Sequence, residues 1–178
     1  MKHTFLLIFY TLLQGIQVLA QEKVTPSEGF KIEGKIKKEW NFTIAELMTM
    51  EAKVVSDITI SNQKGEVKGK ATGLKGIPLK SILEKLEFQV EKPKDLNEFY
   101  LVLEATDGYR VVFSWNEVFN TEVGNNLYVI TEKDGKKLNE MPERILIVSS
   151  SDLKIGRRYI KGVNKISVNR LEGKKIKD

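Results

Sequence analysis

Apolar residues recur at every second position in several short runs of this chain, a period that predicts β-strands. The clearest run is residues 99 to 103, where positions 99, 101 and 103 are apolar and would face one side of a strand. Asp107-Gly108 follows as a tight-turn pair, and residues 109 to 113 then resume a strand-like composition. Residues 104 to 119 therefore predict a β-hairpin that leads into a short helix or turn. Core packing explains such a hairpin without any ligand.

Similar runs elsewhere predict a chain made mostly of strands. Alternation with charged residues, or a high content of β-branched residues, predicts strands at residues 30 to 36, 53 to 61, 127 to 131, 145 to 148 and 159 to 168. Residues 63 to 76 hold four glycines among lysines and predict a hairpin with bends, because the glycine spacing matches neither common phosphate-binding loop. Asp134-Gly135 predicts a second tight turn.

Two stretches carry helix signals. Thr43 and Glu46 have the spacing of a capping box, which predicts a short helix to about Met50 that buries Ile44, Leu47 and Met48. Pro78 predicts the first position of a second helix, whose buried face would carry Leu79, Ile82, Leu83 and Leu86. Since the strands outnumber these short helices, the sequence predicts an α+β fold, a mixed β-sheet domain with a few short helices.

The N-terminus is typical of a secretory signal peptide. Lys2 and His3 precede a short apolar run, and residues 18 to 20 (Val-Leu-Ala) place small residues before a polar segment. Gln14 and Gln17 interrupt the apolar run, which argues against an uncleaved anchor of about 20 residues. The sequence therefore predicts cleavage and a secreted or periplasmic protein.

Cleavage after Ala20 divides the chain into four segments. They are a signal peptide at residues 1 to 20, a flexible leader at 21 to 29, a single domain at 30 to 169 and a basic tail at 170 to 178. The domain is long enough to build a hydrophobic core. No later stretch is apolar enough to span a membrane, so no membrane span is expected after cleavage.

Composition narrows the chemistry that is available. The chain has no cysteine, and its only histidine is His3, inside the predicted signal peptide. A mature chain without thiol or imidazole excludes Ser-His and Cys-His nucleophiles, thiolate or imidazole zinc sites and disulfides. The net charge of +5 is mild and its charges are mixed along the chain, so no nucleic-acid partner is predicted.

Three separated motifs resemble those of the sulfite-oxidase-like, molybdopterin-binding oxidoreductase domain family. Residues 75 to 83 (KGIPLKSIL) resemble its Gly-x-Pro-Leu segment followed by a helix, and residues 107 to 109 (DGY) resemble its Asp-Gly-Tyr turn. Residues 142 to 148 and 156 to 163 are similar to its Pro-Leu-Arg strand and later basic segment. The resemblance covers roughly residues 30 to 169 and implies the molybdopterin-binding fold of that family.

Departures from the family pattern bear on activity. The family's cysteine ligand to molybdenum is missing, since the corresponding window, residues 60 to 64, offers Ser61 and no thiol. Leu74 stands where the family has a tryptophan, and Glu140-Met141 stands where a His-Gly pair often occurs. A sulfite-oxidising centre with its usual ligand therefore cannot form. Ser61 as an oxygen ligand to the metal remains an alternative.

The resemblance also implies candidate cofactor-binding residues. Arg and Lys suit the phosphate of a molybdopterin, and the matching segments carry Arg144, Arg157, Arg158 and Lys161. Tyr109 of the turn and Ser61 complete the set, with no catalytic residue and no metal ligand assigned. The alternative is that these cations are ordinary surface charge.

The sequence thus predicts an exported domain that lacks redox catalysis and binds a pterin phosphate or another small anion. If it were an enzyme, a molybdopterin-dependent oxidoreductase would be its class. The alternative is an exported module that binds a protein partner or a ligand without cofactor, through exposed rings among Trp40, Tyr109, Trp115, Phe119 and Tyr128. A carboxylate hydrolase using Glu104 and Asp107 is disfavoured, because Asp107 is explained by its turn.

Overall fold

The computed structural model describes residues 24 to 172, and the predicted signal peptide lies outside them. In chain order the strands and helices are β1 Gly29–Gly34, β2 Trp40–Thr43, α1 Ile44–Thr49, β3 Lys53–Val55, β4 Ile58–Ser61, β5 Val67–Ala71, β6 Leu74–Pro78, α2 Leu79–Leu83, β7 Phe99–Ala105, β8 Arg110–Ser114, α3 Trp115–Asn120, α4 Glu122–Asn125, β9 Leu127–Lys133, β10 Lys136–Lys137, β11 Leu146–Ser149, β12 Tyr159–Ile160 and β13 Val163–Arg170. Short 3₁₀ helices occur at Pro93–Glu98, Leu138–Glu140 and Ile155–Arg158. This content confirms the predicted α+β class.

The strands form two main sheets and one separate hairpin. The first sheet has the order β2-β1-β13-β7-β8, in which β1 and β13 pair in parallel and bring the two ends of the domain together. The second has the order β12-β11-β9-β6-β3, with β10 paired to β9. The remaining pair, β4 and β5, is an antiparallel hairpin outside both sheets.

The central hairpin forms as the sequence predicts. Along β7 every second residue is buried, beginning with Phe99, and β7 pairs with β8 across the Asp107-Gly108 turn. The following residues form α3, which begins at a capping box between Ser114 and Glu117. Helix α1 also begins at a capping box, in which the predicted pairing of Thr43 and Glu46 is present.

Residues 53 to 61 form two strands rather than the single predicted strand. Asp57 separates them, and its carboxylate accepts a hydrogen bond from the Gly73 backbone at 2.9 Å. As a result β3 pairs with β6 in the second sheet, while β4 joins the separate hairpin. β-Branched composition predicts strand content here, but it carries no information about which sheet each strand enters.

The two predicted helices differ from expectation at their ends. In α1 only Leu47 is buried, whereas Met48 is 44% exposed, because six residues give the helix a narrow contact with the sheet. Pro78 closes β6 and precedes α2, which begins at Leu79. The predicted buried face of α2 is confirmed: Leu79, Ile82, Leu83 and Leu86 are all buried.

The described part of the predicted leader is held against the domain. Ser27 is buried, and its backbone N–H donates to the Arg144 carbonyl at 2.6 Å. Thr25 donates from its backbone to the Thr106 hydroxyl at 3.2 Å. From residue 24 onward, tertiary hydrogen bonds thus fix a polar segment that composition alone assigns to a flexible leader. Within residues 24 to 172, no helix has the length and apolar character needed to span a bilayer.

Candidate functional site: a basic pocket

A small pocket of about 270 Å³ opens between β4 and the 3₁₀ helix Ile155–Arg158. We call it the basic pocket, and its lining consists of Ile60, Ser61, Asn62, Lys68, Gly156, Arg157, Tyr159 and Lys161. Three residues that the sequence singled out, Ser61, Arg157 and Lys161, therefore meet at one place. They come from segments almost a hundred positions apart in the chain.

Close backbone contact joins the two sides of the basic pocket. A Cβ atom on Gly156 would lie 2.5 Å from the Ser61 carbonyl oxygen, so only glycine allows the 3₁₀ helix to approach β4 this closely. Nearby, the Lys154 ammonium donates to the Gln63 carbonyl at 2.6 Å. Ser61 and Arg157 are thus positioned by packing between two short elements.

Tyr109 supports the pocket from the central hairpin. Its hydroxyl donates to the Arg157 carbonyl at 2.8 Å, although Tyr109 does not line the pocket. The ring is 42% exposed, so the hydrogen bond lies near solvent. Tyr109 therefore holds the backbone that carries the Arg157 side chain, which is a positioning contact.

The charge in the basic pocket is positive and partly uncompensated. No acidic side chain lines it. Within residues 24 to 172, neither Arg157 nor Lys161 forms an ion pair, and both are exposed. Lys161 places its ammonium 5.7 Å from the Tyr159 ring centre, a cation–π contact that leaves its charge intact. Lys68 is different, because it pairs with Glu66 at 2.8 Å.

Tyr159 contributes a neutral wall. Burial raises the pKa of Tyr159 to about 12. The carboxylates of Glu143 and Asp134 also raise this pKa, whereas the nearby ammonium of Lys133 lowers it. Lys133 itself bridges Asp134 and Glu143 at 2.8 Å each. A phenol with so high a pKa stays protonated at physiological pH, so Tyr159 adds no negative charge to the pocket.

Arg158 lies next to Arg157 in sequence but does not line the pocket. Its guanidinium pairs with Glu117 at 2.9 Å and Asp152 at 3.4 Å, and it stacks 4.5 Å from the Phe113 ring centre. Partial burial by itself would raise the pKa of Glu117, but hydrogen bonds from Ser114 and Arg158 hold that pKa below its usual range. Glu117 and Asp152 are both part of the folded domain, so the positive charge of Arg158 is already compensated without a ligand.

Arg144 is likewise separate from the pocket. Its guanidinium pairs with Glu28, whose side chain is largely exposed. The Arg144 Nε atom is buried and has no hydrogen-bond partner among the described residues. Of the six predicted cofactor-binding residues, three line the basic pocket, Tyr109 supports it, and Arg144 and Arg158 lie outside it.

Five of the eight lining residues are not among the predicted cofactor-binding residues, namely Ile60, Asn62, Lys68, Gly156 and Tyr159. Lys68 and Asn62 belong to the hairpin that contains the glycine-rich stretch, and no local pattern connects that hairpin with the basic segment around Arg157. Tyr159 could have been found, because it lies between two of the predicted cations in the chain.

The other predicted chemistries have little geometric support. Glu104 pairs with Lys165 at 3.2 Å, and Asp107 accepts from the Tyr109 backbone at 3.0 Å, as a turn residue does. Among the described residues, no group of three or more acidic, histidine or cysteine side chains could hold a metal ion. The aromatic candidates other than Tyr109, namely Trp40, Trp115, Phe119 and Tyr128, pack at least partly against the core.

Comparison with solved structures shows a distant likeness in fold. The chain is similar to the sulfane dehydrogenase SoxCD from Paracoccus pantotrophus, with 14% identity and a TM-score of 0.56 over 82% of this chain and 39% of that chain. This chain thus spans well under half the length of its structural relative. No protein-family model and no curated protein matches the chain. At this identity the likeness shows only that the chain shares an α+β fold with part of that structure.

Proposed function

We propose that this protein is an exported, non-catalytic relative of the sulfite-oxidase-like domain that binds a phosphate-bearing or similar small anion in the basic pocket. The observation that carries the proposal is the meeting of Arg157 and Lys161, two cations without ion pairs in residues 24 to 172, in a pocket with no acidic lining. An anion there would supply the missing opposite charge.

The residues of the basic pocket offer different kinds of groups to an anion. Arg157 offers a planar fork of N–H donors that matches two oxygens of a phosphate, while Lys161 contributes a compact point charge. The hydroxyl of Ser61 and the amide of Asn62 are neutral groups that suit the remaining oxygens. The arrangement can hold an anion in place, and its lining contains no carboxylate or imidazole to act as a general base.

A molybdopterin fits this site only through its phosphate. The cations suit the phosphate group, but a volume of about 270 Å³ lies below the roughly 300 to 1,000 Å³ of pockets that enclose drug-sized ligands. The chain also offers no thiolate for molybdenum, because it has no cysteine. These two features favour a phosphate-binding role without the metal chemistry.

Export rests on the N-terminal sequence. Its charged start, short apolar run and small residues before position 21 are the features of a cleaved leader. In a compartment outside the cytoplasm, a cysteine-free domain avoids unwanted disulfides. N-terminal sequencing of the mature protein from its own host tests this part of the proposal, and a first residue of Gln21 is expected.

Calorimetric titration with inorganic phosphate tests the binding proposal. The wild-type chain should bind, and the double variant Arg157→Gln/Lys161→Gln should bind roughly 10-fold or more weakly, since hydrogen bonds to charged groups are lost. The matched control is Lys136→Gln/Lys137→Gln, which removes two exposed charges from β10. Equal losses of phosphate affinity in the two double variants would mean that phosphate is attracted by the overall charge of the protein rather than bound in the basic pocket, and would overturn the proposal.

Native mass spectrometry of protein purified from its own host tests the identity of the ligand. A retained pterin phosphate or another phosphorylated compound, lost in the Arg157→Gln/Lys161→Gln variant, is the expected result. Stoichiometric molybdenum together with turnover of an oxidisable substrate and a dye acceptor would contradict the non-catalytic role. Metal analysis of Ser61→Ala against wild type would then show whether Ser61 is an oxygen ligand.

A further inference from the structure

A second cavity, of about 590 Å³, lies between α2, α4 and the link from α1 to β3. None of its lining residues belongs to the basic pocket. We call it the Lys80 cavity. Its size falls within the range of pockets that bind small organic molecules.

The floor of the Lys80 cavity is apolar. Ile77 and Pro78 from the end of β6, Tyr128 from β9 and Met50 from the end of α1 contribute to its lining. A Cβ on Gly76 would lie 2.8 Å from the Tyr128 Cβ, so the glycine lets Tyr128 lie directly against β6. The half-buried ring offers a flat surface for an apolar group.

The charges at the rim of this cavity balance. Glu51 and Glu84 are exposed at the rim together with Lys53 and Lys85, which gives two negative and two positive side chains. Exposed charges of opposite sign in water contribute little net field inside a site. The selectivity of the cavity for charge therefore depends on its remaining charged residue, Lys80.

Lys80 is half-buried and lacks a counter-ion. Its ammonium donates to the Phe119 carbonyl at 3.2 Å and to the Asn125 side-chain oxygen at 3.5 Å, and both of these acceptors are neutral. Within residues 24 to 172, Lys80 forms no ion pair with a carboxylate. An ammonium has three donors, so one remains for a ligand. Its two contacts fix the ammonium in position without cancelling its charge.

We infer that the Lys80 cavity binds an organic anion that has an apolar, preferably aromatic, body and a single acidic group such as a carboxylate or sulfonate. The acidic group pairs with Lys80, and the body lies on Tyr128, Ile77 and Pro78. A bare inorganic anion would leave the apolar floor uncovered, which distinguishes this site from the basic pocket.

Two fluorescent probes that differ by one acidic group test the inference. Anilinonaphthalene sulfonate carries a sulfonate, and phenylnaphthylamine has the same rings without it. The wild-type chain should bind both and prefer the sulfonate. Lys80→Met should weaken binding of the sulfonate roughly 10-fold while leaving that of the neutral probe within about twofold. Tyr128→Ala should weaken both, because it removes the aromatic floor.

Controls keep the result specific to this cavity. Lys136→Met removes an exposed lysine elsewhere and should change neither affinity, and circular dichroism confirms that each variant is folded. The Arg157→Gln/Lys161→Gln variant should bind the sulfonate probe as wild type does. Equal affinity of the wild-type chain for the two probes, or a Lys80→Met variant that binds the sulfonate unchanged, would overturn the inference.

Discussion

Arg157 and Arg158 are neighbours in sequence and face opposite electrostatic surroundings. Arg157 points into the basic pocket, where no acidic side chain lines the wall, while Arg158 is enclosed by Glu117, Asp152 and the Phe113 ring. The first cation is available to a ligand, and the second is part of the fold. The comparison shows that a basic motif is informative about binding only when its carboxylate partners are known.

The largest expected effect comes from the contact that builds the pocket. Gly156→Ala would place a Cβ 2.5 Å from the Ser61 carbonyl oxygen and force β4 and the 3₁₀ helix apart. We expect a loss of about 3 kcal/mol in the free energy of unfolding, together with loss of phosphate binding. Chemical denaturation and calorimetry measure the two effects.

Gly69→Ala is the matched control for that change. Gly69 lies in β5, and a Cβ there would meet no atom within 4 Å. The free energy of unfolding of the Gly69→Ala variant should stay within about 0.5 kcal/mol of that of the wild-type chain. If Gly156→Ala were equally harmless, close packing of the 3₁₀ helix on β4 would not be what builds the pocket.

The next effect separates the two arginines. Arg158→Met leaves Glu117 and Asp152 without their shared cation and should lower the free energy of unfolding by about 2 kcal/mol. Phosphate affinity should stay within about twofold, because Arg158 does not line the pocket. Arg157→Met should do the reverse, with weaker phosphate binding and a nearly unchanged midpoint of denaturation. Similar profiles for both variants would remove the distinction between the two regions.

The sequence could predict the local parts of this arrangement. The β7–β8 hairpin follows from alternation and the Asp107-Gly108 pair, and the start of α1 follows from its capping box. The partners of Arg158 could not be predicted, because Glu117 is 41 residues away and the two meet only through tertiary packing. The same applies to the parallel pairing of β1 with β13. Long-range contacts leave no periodic trace in a single sequence.

A smaller effect tests the support that Tyr109 gives to the pocket. Tyr109→Phe removes the hydroxyl that donates to the Arg157 carbonyl and should cost about 1 kcal/mol or less in stability. Phosphate affinity should fall by roughly threefold, because the backbone that carries Arg157 loses an anchor. Tyr100→Phe is the control, since the Tyr100 hydroxyl has no hydrogen bond among the described residues. Unchanged affinity in Tyr109→Phe would make this turn a purely structural element.

The smallest effect is a dependence of stability on pH that comes from Glu117, which caps α3 at Ser114 and pairs with Arg158. The pKa of Glu117 in the folded chain lies below its ordinary value of 4.5, so its stabilising contribution is present above that value. The contribution is lost as pH falls through the folded pKa, because the protonated carboxyl accepts less strongly from the Ser114 backbone and no longer pairs with the charge of Arg158. Glu117→Gln should therefore lose less stability than wild type between pH 5 and 3, by under about 1 kcal/mol, since the pair is partly exposed. Thermal unfolding of both proteins across that range measures the difference. Parallel curves would mean that the charge of Glu117 does not stabilise the fold, and the contrast with Arg157 would then rest on Asp152 and on packing against Phe113.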